Sequence, residues 1–538
     1  MLRVRTRLVL RGRTCRVRCG AAGSAVPQEQ AATLGRLTCS GGARPRAGPP
    51  AASGRSLVVT MRMDDALAGA VPVAPPPTLF VPGRNCWRVA RAARAALLVD
   101  GADYFAALED ALARARRSIT LVGWDFDGRI RLRADAPEAA SPPLGPFLRA
   151  LVEARPELEL RILIWSVGTL HGPGEALPLL FGAEWQRHPR IRVRLDTRHP
   201  LYAAHHQKIV CVDECLAFVG GMDLTVQRWD TQEHRAEDPR RVDPDGAPYG
   251  PVHDTQMVVD GEAARAVGDL VRARWRDATG EAAAPAEGPP LWPRGLAPDF
   301  TDVPVAIART MPLLDEQPSV EEAAALTADL LRGARRHVYI EAQYLTARFV
   351  GDVLEAQLAR PDGPDVVIVL TRRSHNLTER VAMGAPRDRL IRRLRAADRH
   401  GRFLLAYPAV PGPAGECQVL VHSKLVIVDD TALRVGSSNL NNRSVALDTE
   451  CDLAVGGTDP ATRATIAALR DRLLAEHLGA DPAAVTAAIR AEGSLVRAVE
   501  RLNTGPRGLR PFAVPPEEGL IEPLLGADLL DPERPFGS

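Results

Sequence analysis

The sequence predicts an α/β fold built as two similar lobes, each a mixed sheet flanked by helices. Three observations carry this. Apolar, β-branched runs alternate with segments of helical period, the pattern of sheets covered by helices. The pattern occurs twice: Ala115-Arg-Arg-Ser-Ile returns 219 residues later as Ala334-Arg-Arg-His-Val, and a second segment recurs at an offset of 216, so the copies agree to within a short loop. An Ala-, Pro- and Gly-rich stretch lies between them.

Taken in order, residues 1–64 are rich in Arg, Gly, Ala and Ser, with Glu29 the only acid before Asp64. Arginines interrupt every apolar run, so no secretory leader stands out. The expectation is a disordered basic arm or sequence ahead of the true start at Met61 or Met63. Residues 65–85 read as a Pro-rich linker. The first lobe, 86–278, opens with a helix (Tyr104–Arg117) and a strand (Ser118–Trp124), followed by strands at Leu160–Trp165 and Ile191–Leu195. Residues 279–298 are the inter-lobe linker. The second lobe, 299–480, repeats the plan: helix Ala323–Arg336, strand His337–Glu341, strands Val366–Leu370 and Phe403–Tyr407, and helix Pro386–Ala397. Strand Asp452–Val455 and helix Pro460–Leu478 complete it. In 481–538, Asp481 and Pro482 are a good N-cap and first turn for one helix to about Leu502, and a Pro-rich tail follows from Gly505.

Composition narrows the function. At 538 residues the net charge is only +2, so charge gives no global case for nucleic acid, and 4 % aromatics argues against a stacking platform for single strands. The eight cysteines lack paired metal-type spacing. Neither a metal nor another cofactor is expected. No run of about 18 apolar residues predicts a membrane span.

The repeated segment with chemistry in it is His206-Gln-Lys208-Ile-Val-Cys-Val-Asp213, which returns as His422-Ser-Lys424-Leu-Val-Ile-Val-Asp429. The chain holds only two lysines, and each stands two residues after a histidine and five before an aspartate. With 12 histidines in 538 residues, that coincidence arises by chance at roughly one in a million. Each motif runs into a buried-strand pattern, on which residues i and i+2 share a face. His206 with Lys208, and His422 with Lys424, therefore form imidazole–ammonium pairs suited to a phosphate, while Asp213 and Asp429 fall opposite and brace the fold. Two such pairs, joined by pseudo-twofold packing, place a nucleophile and an acid on either side of one phosphorus.

These motifs resemble the paired signature of the phospholipase D superfamily. Gly123-Trp124-Asp125, Gly220-Gly221-Met-Asp223, Arg228-Trp229-Asp230-Thr231, His253-Asp254, Tyr339-Ile-Glu341-Ala-Gln343-Tyr344 and Gly436-Ser-Ser-Asn439 through Glu450 are similar to its lipid-acting branch. The resemblance spans about Leu97 to Leu478 and implies the phospholipase D fold, with the site at the lobe interface. It implies catalysis through a phosphohistidine, with His206 as nucleophile, His422 as acid and base, and Lys208 and Lys424 on the phosphate oxygens. Asp213 and Asp429 belong to the catalytic signature. Asn439 resembles the family residue that binds the phosphate; at the motif offset its counterpart is Asp223, a departure that puts a symmetric contact in doubt. A nucleophilic imidazole also needs its other nitrogen held by an acceptor, and Asp254 and Glu450 match that need.

The activity implied is hydrolysis of the distal phosphodiester of a phosphatidylcholine-like phospholipid, with transphosphatidylation when an alcohol replaces water. Competing readings are a cardiolipin synthase-like phosphatidyltransferase, a nucleic-acid phosphodiesterase and a non-catalytic membrane-binding scaffold. The expected partners are phospholipid at a membrane surface and a water or alcohol acceptor, without nucleic acid. The expected state is a monomer, cytoplasmic or peripheral at a membrane, with secretion the alternative.

Overall fold

The computed structural model describes residues 7–10, 13–16, 79–166, 182–286, 288–372, 377–514 and 531–532. Of the basic arm, the described residues are two paired antiparallel strands, Arg7–Leu10 and Arg13–Arg16, in a unit of their own. The other expectations for 1–64, most of the Pro-rich linker and most of the tail beyond Val514 lie outside the described residues.

From Leu79 onward one sheet order appears twice. In the first half it runs Ile191–Asp196, Glu159–Trp165, Ser118–Gly123, Ile209–Val212, Leu216–Gly220, Thr255–Asp260, Arg88–Val99. In the second it runs Phe403–Gly412, Asp365–Leu370, His337–Ala342, Lys424–Val428, Ala432–Gly436, Glu450–Gly456, Phe300–Met311. In both, the first three strands are parallel and the rest antiparallel. The two long strands pair with each other, Ala95 opposite Phe300 and Ala92 opposite Val303, so main-chain hydrogen bonds join the halves.

Strand alternation then builds the layers. Val122, Ile209 and Val219 of one half share a core with Tyr339, Leu425 and Val435 of the other. Leu121 and Leu160 face outward onto the helices Asp100–Arg114 and Leu144–Ala154. Ile340 and Val366 do the same beneath Glu322–Gly333 and Arg348–Ala359. Two sheets thus pack face to face with helices outside, a mixed α/β arrangement.

Two expectations change, and two strands are new. The single helix to Leu502 is two, Pro482–Glu492 and Leu495–Leu502: Gly493 adopts φ 60° and ends the first, and the Ser494 side chain accepts from the Arg497 N–H to start the second. The helix read from Pro386 begins at Leu377. The long strands Arg88–Val99 and Phe300–Met311 were not legible, because Ala–Arg alternation in the first carries no β-branched signal. Between Thr279 and Phe300 the described residues carry neither helix nor strand. Gly288 N–H donates to Asp213 O at 3.2 Å and Leu291 is buried, so this linker lies against the first half. Among the described residues no helix is long and apolar enough to cross a membrane.

Candidate active site

The two motif strands, Ile209–Val212 and Lys424–Val428, hold the same place in the two sheets, and each histidine lies just ahead of its strand. There the chain crosses to the other half. His206 N–H donates to Thr449 O at 3.0 Å, and His422 N–H to His253 O at 2.8 Å. These main-chain links set the side chains. His206 Nδ1 lies 3.0 Å from Glu450 Oε2 and His422 Nδ1 lies 2.7 Å from Asp254 Oδ2. Each imidazole is therefore oriented by a carboxylate from the opposite half, which leaves both Nε2 atoms for chemistry.

The carboxylates are held in turn. Glu450 accepts from Ser444 Oγ at 2.7 Å and from Ser437 Oγ. Asp254 accepts from the Thr255 N–H at 2.8 Å. Gly221 lies against it so closely that a Cβ would stand 2.1 Å from Asp254 Oδ1, which is why only glycine fits there.

The lysines differ. Lys208 Nζ donates to His206 O at 3.0 Å and pairs with Asp223 Oδ2 at 3.1 Å. Lys424 Nζ donates to Gln343 Oε1 at 3.1 Å and to His422 O. The Asp223 carboxylate, the counterpart of Asn439, is thus turned onto Lys208, and its Oδ1 also accepts from the Trp124 N–H at 2.8 Å. Asn439 is buried, and its Oδ1 has no hydrogen-bond partner among the described residues.

Burial and the field of Lys208 and Lys424 hold the His206 imidazole well below its usual range. Burial, Lys424, Arg228 and Lys208 do the same to His422. Burial pulls Lys424 down to about 7 against the charge of Asp254, and pushes Glu450 up to about 8 against the serine hydroxyls. The resting site thus holds two unprotonated imidazoles in a cationic surround, the condition for accepting a phosphodiester anion.

Asp213 and Asp429 stand apart. With φ near 50° and 55° just past their strands, each accepts three main-chain N–H groups, from Arg116, Arg117 and Ser118, and from Arg335, Arg336 and His337. They fasten the neighbouring strand's start, and among the described residues neither bonds to His206 or His422. His205 turns away to Asp196 at 3.0 Å and to Arg274. Trp124 packs on Trp165, ring centroids 5.8 Å apart.

Sequence reading assigned no role to Arg228, whose guanidinium bears on His422, Asp254 and Lys424, nor to Ser437. Neither has a spacing signal. It also missed a buried cluster, Asp100, His234, His253 and Glu476, whose ligand-type atoms lie within 4.8 Å of one another, with Glu341 and His477 alongside. Its members come from five separate segments, so no local pattern could reveal it.

A family model described as Phospholipase D matches residues 111–288 and 410–502. The chain is similar to phospholipase D A of Dictyostelium discoideum, 24 % identical over 465 residues that cover 72 % of this chain and 36 % of that protein. It is 33 % identical to phospholipase D2 of Bos taurus over 161 residues, 28 % of this chain and 16 % of that one. It thus spans about a third or less of these relatives' length. A crystal structure of phosphatidylserine synthase from Haemophilus influenzae Rd KW20 superposes with TM-score 0.50 at 12 % identity, covering 72 % of this chain and 88 % of that one, a likeness of fold.

Proposed function

The chain belongs to the phospholipase D family, and from that premise we propose that it cleaves the distal phosphodiester of a phosphatidylcholine-like phospholipid, yielding phosphatidic acid and the head-group alcohol. The observation that carries this is the crossed pairing of His206 with Glu450 and His422 with Asp254. Each carboxylate accepts the Nδ1 proton, so Nε2 carries the reactive lone pair.

His206 Nε2 attacks phosphorus and the bond to the head-group oxygen breaks. That oxygen takes a proton from His422 Nε2, leaving a phosphatidyl group on His206. His422 then removes a proton from water or an alcohol, whose oxygen displaces His206 and frees phosphatidic acid or the transfer product. The protonated His422 that the first step needs arises as the substrate anion offsets the two ammonium charges that depress its basicity. Lys208 and Lys424 hold the phosphate oxygens through the trigonal-bipyramidal state, and the buried Asn439 adds its amide N–H.

The substrate's membrane suits the surface beside the site. Leu201 and Tyr202, 75 % and 53 % exposed, sit a few residues ahead of His206, in a loop that Arg443 ties down by donating to Tyr202 O.

The test is incubation with phosphatidylcholine vesicles and a primary alcohol. Phosphatidic acid and phosphatidyl-alcohol appearing together are expected. Cleavage of plasmid DNA without either product would overturn the reading.

A further inference from the structure

We propose that His253 is a positioning residue: a buried imidazolium, clamped between carboxylates of both halves, that fixes Asp254 and through it His422. The role rests on the phosphoryl-transfer reading above for its kinetic consequence only.

His253 and Asp254 are neighbours whose side chains point to different places. Asp254 faces His422; His253 faces inward, fully buried. Its Nε2 lies 2.9 Å from Glu341 Oε2, and its Nδ1 lies 3.0 Å from both Asp100 Oδ1 and Glu476 Oε1. A carboxylate at each ring nitrogen favours a proton on both. His234 has the same arrangement, Nδ1 on Asp230 at 2.9 Å and Nε2 on Glu476 at 3.0 Å. His477 Nε2 meets the other oxygen of Glu341 at 3.0 Å. Around the ring Asp100, His234, Glu476, His253, nitrogen and oxygen alternate, so each imidazole nitrogen faces carboxylate oxygen. Burial pulls the His253 imidazole down, but Glu341, Asp100 and Glu476 outweigh it and hold it well above the usual range.

Asp100, His234 and His253 belong to the first half, and Glu341, Glu476 and His477 to the second. The cluster therefore grips the segment bearing Asp254 from both sides. Asp100 N–H donates to Asp254 O at 2.8 Å, Asp254 N–H points back to Asp100 Oδ1 at 3.3 Å, and His253 O takes the His422 N–H. The mirror position, Thr449 ahead of Glu450, has only a hydroxyl, 3.2 Å from His205 Nδ1. The residue ahead of Asp254 is thus an imidazole clamped by carboxylates, and the residue ahead of Glu450 is a hydroxyl.

The test compares the full-length wild type with His253→Gln and His253→Arg. Imidazole nitrogen NMR of the resting protein is expected to show His253 protonated on both nitrogens at pH 8. In His253→Gln the hydrogen-bonded Nδ1 proton resonance of His422 should vanish while the protein stays folded. kcat on phosphatidylcholine vesicles should fall on the order of 10²-fold with KM little changed. The arginine, which can still bridge carboxylates on both sides, should recover most of it. If His253→Gln does not fold, Glu341→Gln, which takes the carboxylate away from Nε2, replaces it, and the expected readouts are loss of the doubly protonated His253 and of the His422 Nδ1 resonance. A neutral His253 at pH 8, a stoichiometric metal ion retained by the purified protein, or an unchanged His422 resonance in a folded variant overturns the proposal. The NMR outcomes stand whether or not the vesicle assay shows activity, so the two readings fail separately.

Discussion

Lys208 Nζ lies 3.1 Å from Asp223 Oδ2, whereas its counterpart Lys424 Nζ lies 3.1 Å from a neutral amide oxygen, that of Gln343. One ammonium has a carboxylate in direct contact and the other does not. Asp223→Asn therefore leaves Lys208 buried without its ion-pair partner, at an expected cost of about 3 kcal/mol in the anion-free protein. Inorganic phosphate should restore much of it, as read by urea melts with and without the anion. A loss that phosphate leaves untouched would place Lys208 away from the phosphate.

Lys208→Arg and Lys424→Arg keep the charge and change its shape. Both lysines are nearly fully buried, so the planar fork cannot take the ammonium's place. Turnover should fall on the order of 10²-fold with circular dichroism unchanged, and wild-type turnover in either variant would remove the assigned role.

The crossed pairs predict distinct failures. Asp254→Asn and Glu450→Gln should each lower kcat by about 10² to 10⁴-fold without loss of vesicle binding. Rapid acid quench and mass spectrometry should find the phosphatidyl adduct on His206. With a substrate whose leaving group needs no proton, His422→Ala should still accumulate that adduct and His206→Ala should not. An adduct on His422 would exchange the two roles.

Leu201 is the most exposed large apolar residue described. If it enters the lipid interface, Leu201→Asp removes its burial and adds a charge, worth about 1.5–3 kcal/mol from the apolar part alone. Vesicle activity should drop roughly tenfold or more, while hydrolysis of a monomeric short-chain phosphodiester should hold. Equal losses on both substrates would count against membrane contact.

Burial and Arg470 pull the His337 imidazole down to about 4. A group depressed in the folded state contributes stability above its unfolded value, near 6.5, and loses it as pH falls through the folded one. His337→Phe lacks this titration. Relative to the variant, the wild type should lose about 3 kcal/mol between pH 6.5 and 4, measurable as the changing gap between their denaturation midpoints.

Much of this was legible in the sequence for one reason: duplication. Chemistry that must face itself across a substrate leaves the same residues twice, and His206, Lys208, His422 and Lys424 were singled out that way. Asp254 and Glu450 followed from what an imidazole requires, but that each serves the other half's histidine was not, because pairing across halves has no local trace. Asp223 was flagged as a mismatch; its ion pair with Lys208 is a contact between strand ends that spacing does not encode. The buried ring around His253 was invisible for the same reason. So was the first long central strand, Arg88–Val99, whose Arg and Ala side chains suit neither template and whose extended form comes from the partner strand.

That central pairing, with seven residue pairs in register from Phe300–Ala95 to Ile307–Arg88, bears on how the two copies depend on each other. Neither copy can finish the proposed reactive centre alone, since each histidine meets a carboxylate of the twin copy. A peptide-bond break in the loop between Thr279 and Phe300 would leave that zipper and both borrowed acids in place. Two separately made fragments meeting at this seam would regain turnover only together, and either one alone would be inert.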